Sequence, residues 1–390
     1  MNILGINGAI GWDGNIHRIF SDGSIINLRI HGSGVTLMMD GELKNALHEE
    51  RFSRIKNDGN YPRLSIEKIL EYNGLTKYDI DLVVYVCGPE NMMQLGLKTA
   101  GYIDEKLQEY FPNSQVEFLS HHLAHAAATF YTSGFDEANI LTFDGAGDSE
   151  FHQTGRWLVP HLKFLQGKDL TLTELYTEYY SVPPMYESFG HLYNKYSLIA
   201  YKNKMNLSKE MCTPPLIEKL PGKVMGMAAF GDHHKIDLPE WFNFDKGSLQ
   251  NSSAEQKLSE DDEELLKLNP DDLAAWVQHQ FEKYLLLFLS NISKHIKSDN
   301  LCLGGGCALN ILANTKILEE GIYKNVHVNT APNDDGLHFG AALHLALKYE
   351  DEVFIPDDIG YLGIPYNDKD IRAALVSHKY SYDTLKQKFR

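Results

Sequence analysis

The chain has 390 residues, 43% of them apolar and 23% charged, with a formal net charge of −17. That length can bury a large interior but exceeds what one undivided core organises, so two lobes are expected. The acidity argues against a broad nucleic-acid-binding face and leaves room only for a local basic groove.

Met1-Asn-Ile-Leu-Gly-Ile-Asn enters a short strand, Asn2–Asn7, without the basic and apolar regions of a signal peptide. Turn-forming residues between Gly8 and Arg29 predict an inserted loop or hairpin. Strands over Val35–Asp40 and Leu43–Glu49 are joined as a hairpin at Asp40-Gly41. A helix near Arg63–Tyr72, a strand Asp81–Val86, helices across Met92–Phe111 and a strand Gln115–Leu119 follow, and a histidine-rich helix closes this half. A second cycle opens with strands near Ala138–Asp144, Thr154–Pro160 and Leu170–Leu175. A largely helical insertion then runs from about Tyr186 to Ser298. It carries an acidic run, Ser259–Glu264, read as solvated surface, and a long amphipathic helix, Pro270–Lys297. Strand Asn300–Leu303, helix Gly306–Glu319, strand Asn325–Asn329 and helix Gly336–Tyr349 resume the alternation. This pattern, occurring twice, predicts an α/β protein with the duplicated, two-lobed actin/hexokinase-like fold. The first lobe is residues 1–136, the second 137–350 with the insertion at about 186–298, and the tail 351–390. Such folds bind ligand between the halves, at the carboxyl ends of the strands. No stretch approaches the roughly 20 apolar residues that cross a bilayer. The scattered Cys87, Cys212, Cys302 and Cys307 read as reduced packing residues. A cytoplasmic location without a membrane partner is expected.

The chemistry gathers at turns. His121 and His125 lie four apart in a helix, on one face and about 6 Å along its axis, so they can converge on one cation. Such a pair arises by chance in a chain with 17 histidines, and its bland reading is two satisfied helix histidines. Two acidic turns shift the balance: Asp144-Gly-Ala-Gly147 ends a strand, and Asn333-Asp334-Asp335-Gly336 opens a helix. Imidazoles with carboxylates suit a borderline divalent ion such as iron, zinc or manganese, whose open positions could hold phosphate oxygens. Three glycine-bearing turns supply phosphate-approaching backbone: Gly145 and Gly147 after one strand, Gly304-Gly305-Gly306 leading to Asn310 after another, and Lys223 with Gly226 in a third. None matches a Walker or dinucleotide fingerprint. Arg51, Arg54 and Lys56 sit in a charge run that is either a solvated edge or a network available to an anionic substrate.

In order, these segments resemble the O-carbamoyltransferase family, whose members modify nodulation factors, cephems, aminoglycosides and ansamycins. The resemblance rests on His31 with Asp40-Gly41 beyond it, Glu49-Glu50-Arg51-Phe52-Ser53-Arg54-Ile55-Lys56 and His121-His122-Leu-Ala-His125-Ala. It continues through Asp144-Gly145-x-Gly147-Asp148, Gly222-Lys223-Val-Met-Gly226-Met-Ala228, Gly304-Gly305-Gly306-Cys-Ala308-Leu-Asn310 and Pro332-Asn-Asp334-Asp335-Gly336. It implies a metal set of His121, His125, Asp144 and Asp334, nucleotide contact at Gly304–Asn310, and His31 as general base. It also implies two steps: ATP and carbamoyl phosphate give carbamoyl-adenylate, and the hydroxyl of a small-molecule acceptor attacks its carbonyl carbon. The family usually has Asp directly after the early histidine, where this chain has Gly32. A further adenylate-forming domain belongs to the family, so a protein partner carrying it is expected. The competing expectations are threonylcarbamoyl-type transfer to tRNA, and a nucleotide-binding regulatory module without chemistry.

Overall fold

A computed structural model describes residues 1–9, 15–19, 25–29, 31–87, 97–148, 150–152, 156–181, 188–207, 220–238, 242–243, 250–251 and 265–377. The acidic run at 259–264 and Cys212 lie outside them, and the other three cysteines are free thiols. Among the described residues, no helix is long and apolar enough to cross a membrane.

In the first half, β1 (Asn2–Asn7) is followed by a separate hairpin of β2 (Asn15–Ile19) and β3 (Ile25–Arg29), then by β4 (Gly34–Met39) and β5 (Glu42–His48). The short α1 (Glu50–Ser53) and α2 (Arg63–Asn73) lead to β6 (Leu82–Val86), α3 (Leu97–Tyr110) and β7 (Gln115–Leu119). The sheet order is β5-β4-β1-β6-β7, with β4 antiparallel and β6 parallel to β1. β1 and β6 read as nearly continuous apolar runs because both faces of the parallel centre are covered. Helix α2 stops where Gly74 takes a left-handed φ of 69°.

After α4 (His121–Phe130), the pattern repeats: β8 (Glu137–Phe143), β9 (Glu150–His152), β10 (Arg156–Lys168) and β11 (Thr171–Ser181). The insertion contains α5 (Phe189–Met205), α6 (Leu220–Met227), a minimal ladder of β12 (Phe242–Asn243) with β13 (Gln250–Asn251), and α7 (Pro270–Ile292). The remaining elements are β14 (Asn300–Gly304), α8 (Ile311–Glu319), β15 (Asn325–Val328), α9 (Leu337–Tyr349) and α10 (Asp368–Ser377). The second sheet runs β11-β10-β8-β14-β15, with β9 on β10. Leaving aside hairpin β2–β3 and the short β9, each sheet is a three-stranded meander whose first strand is flanked by two further parallel strands. This is the duplicated actin-like α/β architecture.

Two helices cross between the sheets. Although α4 follows the first sheet, its Ala126 and Phe130 pack with Ala138, Ile140 and Leu165 of the second. Conversely, α9 follows the second sheet, and its Leu337, Ala341, Ala342 and Leu345 pack with Ile3, Met38, Leu82 and Val84 of the first. The helices touch so closely that a Cβ on Gly340 would collide with the Ala124 carbonyl. The insertion covers the far side of the second sheet, with Phe189, Tyr193, Trp276 and Phe281 against Leu141, Phe143 and Phe164. Each fully buried side chain of this size contributes about 1.5–3 kcal/mol of transfer energy.

Several expectations are corrected. β10 is 13 residues long and continues past Pro160 to Lys168, because the ladder with β11 shifts register between Pro160 and Leu162 and so tolerates the missing N–H. Helix α7 opens on Asn269, which caps the amides of Asp271 and Asp272, and it ends at Ile292 rather than Lys297. Lys223 and Gly226 lie within helix α6, not in a turn. Gly306–Leu309 is a single 3-10 turn, and the helix after it starts only at Ile311.

Candidate metal centre

The crossing helices bring their N-terminal ends to the cleft. His121 and His125 occupy the first turns of α4, whose opening amide at His121 donates to the Asp148 carboxylate at 2.9 Å. Asp144 follows β8 directly, and Asp334 lies in the 3-10 turn leading into α9. One donor atom from each of these four residues lies within 4.8 Å of the others. The Nε2 atoms of His121 and His125 face each other at 3.1 Å. His125 Nε2 is 3.4 Å from Asp144 Oδ2 and 3.6 Å from Asp334 Oδ1, and His121 Nε2 is 3.8 and 3.7 Å from the same oxygens.

The electrostatics follow from crowding. Burial opposes a charge on His121, but Asp334, Asp144 and Asp148 outweigh it and push its pKa up to about 9. Burial works against ionised Asp144, yet hydrogen bonds from His121 and His125 hold its carboxyl well below the usual range. At Asp334 the positive potential of His31 and His121 likewise overcomes burial and lowers the pKa. Next to them, burial and then the Asp144 charge push the Cys307 thiol well above its ordinary pKa.

The donor set fits a divalent cation. Asp334 Oδ1 is buried with no hydrogen-bond partner among the described residues, and the positive charge it needs comes from the His121 ring 3.7 Å away or from a divalent cation that displaces that ring's proton. Asp144 is anchored, its Oδ2 accepting from the Gly306 amide at 2.8 Å and its Oδ1 from Gly145 at 2.6 Å, whereas His125 Nδ1 is buried with no hydrogen-bond partner among the described residues. His122, between the two ligands, is turned away and fixed by Thr142 Oγ1 at 2.9 Å and the Pro160 carbonyl at 3.1 Å.

His31 stands at the rim, its Nδ1 3.5 Å from Asp334 Oδ2. Asp334 thus faces the quartet with one oxygen and His31 with the other. Gly32 has a φ of +71°, and a Cβ there would sit 2.6 Å from the Asp334 carbonyl carbon and 2.7 Å from the Asp335 nitrogen. No side chain fits this approach, and the carboxylate beside His31 comes from Asp334 instead. Asn7, at the end of β1, ties the two turns by donating Nδ2 to the Gly32 carbonyl at 2.9 Å and the Asp334 carbonyl at 3.5 Å.

Other predicted site residues divide. Gly304, Gly305, Gly306, Gly145 and Gly147 border the quartet, but several of their amides are already engaged. Gly305 donates to Pro332, Gly306 to Asp144 and Gly147 to Pro160. The Gly304–Asn310 segment is therefore not the open set of helix-terminal amides expected from the sequence. Asn310 caps α8 through the Ala313 amide and pairs with Gln278. Lys223 and Gly226 are exposed on α6, with Lys223 over the Tyr201 ring. Arg51 and Arg54 line a separate cavity of about 580 Å³ with His48, Asp335 and Tyr366, between the end of β5 and segment 359–366. Lys56 is not in its lining; it pairs with Glu50 at 3.0 Å. Glu49 of the same charge run is buried and caps α2, accepting from Leu64 N, Ser65 N and Ser65 Oγ. Asn7, Asp148 and His48 had no assigned role in the sequence reading. Only Asp148, four residues after Asp144 in an acidic turn, offered a signal.

The fold and its four-donor cleft define a two-lobed α/β protein of the actin-like class. The sequence profile described as the carbamoyltransferase N-terminus matches residues 105–343, more than half of the chain, and the chain belongs to that family. It is similar to nodulation protein NolNO of Sinorhizobium fredii (strain NBRC 101917 / NGR234), 29% identical over 89% of this chain and 50% of that protein. It is also similar to uncharacterized protein sll1178 of Synechocystis sp. (strain ATCC 27184 / PCC 6803 / Kazusa), 27% identical over 90% of this chain and 62% of that protein. The chain thus spans about half to three fifths of the length of these relatives. A crystal structure of full-length HypF in the phosphate- and nucleotide-bound form superposes with a TM-score of 0.49 at 13% identity, covering 84% of this chain and 46% of that one.

Proposed function

We propose that this chain transfers a carbamoyl group from carbamoyl-adenylate to a hydroxyl of a small molecule. The observation that carries the reading is the partly buried quartet with an unsatisfied carboxylate oxygen, set beside a half-buried histidine in a chain of the carbamoyltransferase family. His121, His125, Asp144 and Asp334 would hold an iron-, zinc- or manganese-type ion, which when bound supplies positive charge for the donor's phosphate. The protein's own contribution is positioning and proton transfer. With Nδ1 facing Asp334, His31 presents its other ring nitrogen to the acceptor, and the carboxylate favours the imidazolium that forms. The acceptor oxygen bonds to the carbamoyl carbon, its proton passes to His31, and the carbon–oxygen bond to phosphate breaks to release AMP. The turns at Gly145 and Gly304–Gly306 let the adenylate approach the backbone. The cavity at Arg51 and Arg54 is our candidate for the anionic or polar part of the substrate.

The donor is activated by a further adenylate-forming unit. Support comes from the family profile itself, which describes only an N-terminal part of carbamoyltransferases. Transfer to tRNA has the chain's charge of −17 against it. The Gly32 departure, which spoke for lost chemistry, is accounted for by its packing on Asp334.

The test uses a non-hydrolysable sulfamoyl analogue of carbamoyl-adenylate, titrated calorimetrically into metal-loaded and chelator-treated protein. Binding is expected with metal and is expected to weaken at least tenfold without it. Equal binding in both would remove the quartet from donor recognition. Steady turnover of ATP plus carbamoyl phosphate by the purified chain would contradict the separate activating unit.

A further inference from the structure

A second group of donors lies outside the cleft, on the outer face of the helical insertion. Asp232, His233 and His234 form the 3-10 turn His233–Lys235 with its cap, and one donor atom from each lies within 4.8 Å of the other two. The His279 ring of α7 stacks on His233 with centroids 4.0 Å apart and planes 15° from parallel, and the His234 ring lies 3.9 Å from His233 on centroids. Three imidazoles and one carboxylate thus meet where a short turn crosses a long helix.

The backbone under this group is held firmly. The Asp232 amide donates to Asp272 Oδ1 at 2.8 Å, the Asp232 side chain accepts from the His234 amide at 3.1 Å, and Gly231 packs directly against the Asp271 carbonyl.

We infer that Asp232, His233 and His234 form a second metal site, selective for a divalent ion of the zinc, nickel or copper type, on the 3-10 turn against which the His279 ring of α7 stacks. Nitrogen-rich donor sets select such ions over magnesium or calcium. His234 is exposed, which leaves its side chain free to close to bonding distance.

The test is a metal count on untagged full chain, stripped with chelator, loaded with Zn²⁺ and passed over a weak chelating resin. Wild type is expected to keep two ions per chain, the His233→Ala/His234→Ala variant one, and the His121→Ala/His125→Ala variant one. A wild type with one ion that survives loss of His121 and His125 but not of His233 and His234 would support this site and contradict the central one. An unchanged count in His233→Ala/His234→Ala would overturn the inference. Should that variant not fold by circular dichroism, His234→Gln replaces it. It is expected to weaken Zn²⁺ binding at one of two calorimetric sites at least tenfold, and two unaltered sites would overturn the inference equally.

Discussion

Single atoms decide much of this site. Asp334 Oδ1 is buried and unbonded while Oδ2 meets His31, so Asp334→Asn removes a ligand and the carboxylate beside His31 together. Calorimetry with Mn²⁺ or Zn²⁺ is expected to show a loss exceeding the roughly 10–100-fold that follows removal of a group merely bonded to a ligand. Asp148→Asn, which weakens the partner of the His121 amide and removes a negative charge near its ring, should fall within that range. At Gly32, the left-handed φ and the contact with Asp334 predict that Gly32→Ala costs about 1–3 kcal/mol in urea unfolding. A fourth residue tests pH. Burial raises Glu178 to about 8, so the native state keeps a proton that the unfolded chain releases near its ordinary pKa of 4.5. Between those values the native state binds more protons, and stability falls as pH rises, levelling off above about 8. Glu178→Gln should remove that slope, leaving Tm unchanged near pH 4 and raised near pH 9. An equal pH dependence in both proteins would show that Glu178 is not the group responsible.

The elements of the fold were largely legible in the sequence, and their partners were not. β1, β6 and β14 are apolar runs whose type follows from composition, and β7 appears at its predicted bounds. That α9 lies on the first sheet depends on pairings of residues more than two hundred positions apart, and that α4 lies on the second depends on its turning away from the sheet it follows; periodicity encodes neither. The four-donor set was legible because strand ends and helix starts in this architecture converge on one cleft. The backbone amides at Gly305, Gly306 and Gly147 were misread, because a glycine's sequence does not reveal whether its N–H is already engaged. Lys223 and Gly226 were misread because glycine suggested a turn where the chain is helical. The α4–α9 contact makes its own prediction. A methyl at Gly340 must push the helices apart, so Gly340→Ala should destabilise by about 1–3 kcal/mol. It should also weaken metal binding although it touches no ligand, since α4 carries two ligands and Asp334 immediately precedes α9. Destabilisation with unchanged metal affinity would show that the helix spacing does not set the site.

At the scale of the molecule, the crossing helices tie the two sheets together, and a cation held by the quartet would join the β8 end, the α4 start and the turn before α9. Metal removal should therefore lower global stability. With free metal at a hundred times its dissociation constant, the expected difference is about 2.7 kcal/mol, read as a drop in Tm after chelation. The central claim is that one cation sits among His121, His125, Asp144 and Asp334. The most direct measurement is anomalous diffraction from crystals grown with Mn²⁺ or Zn²⁺. The account predicts a peak about 2.0–2.3 Å from both Nε2 atoms and from an oxygen of each carboxylate. Saturating metal with no density among these four side chains would contradict it.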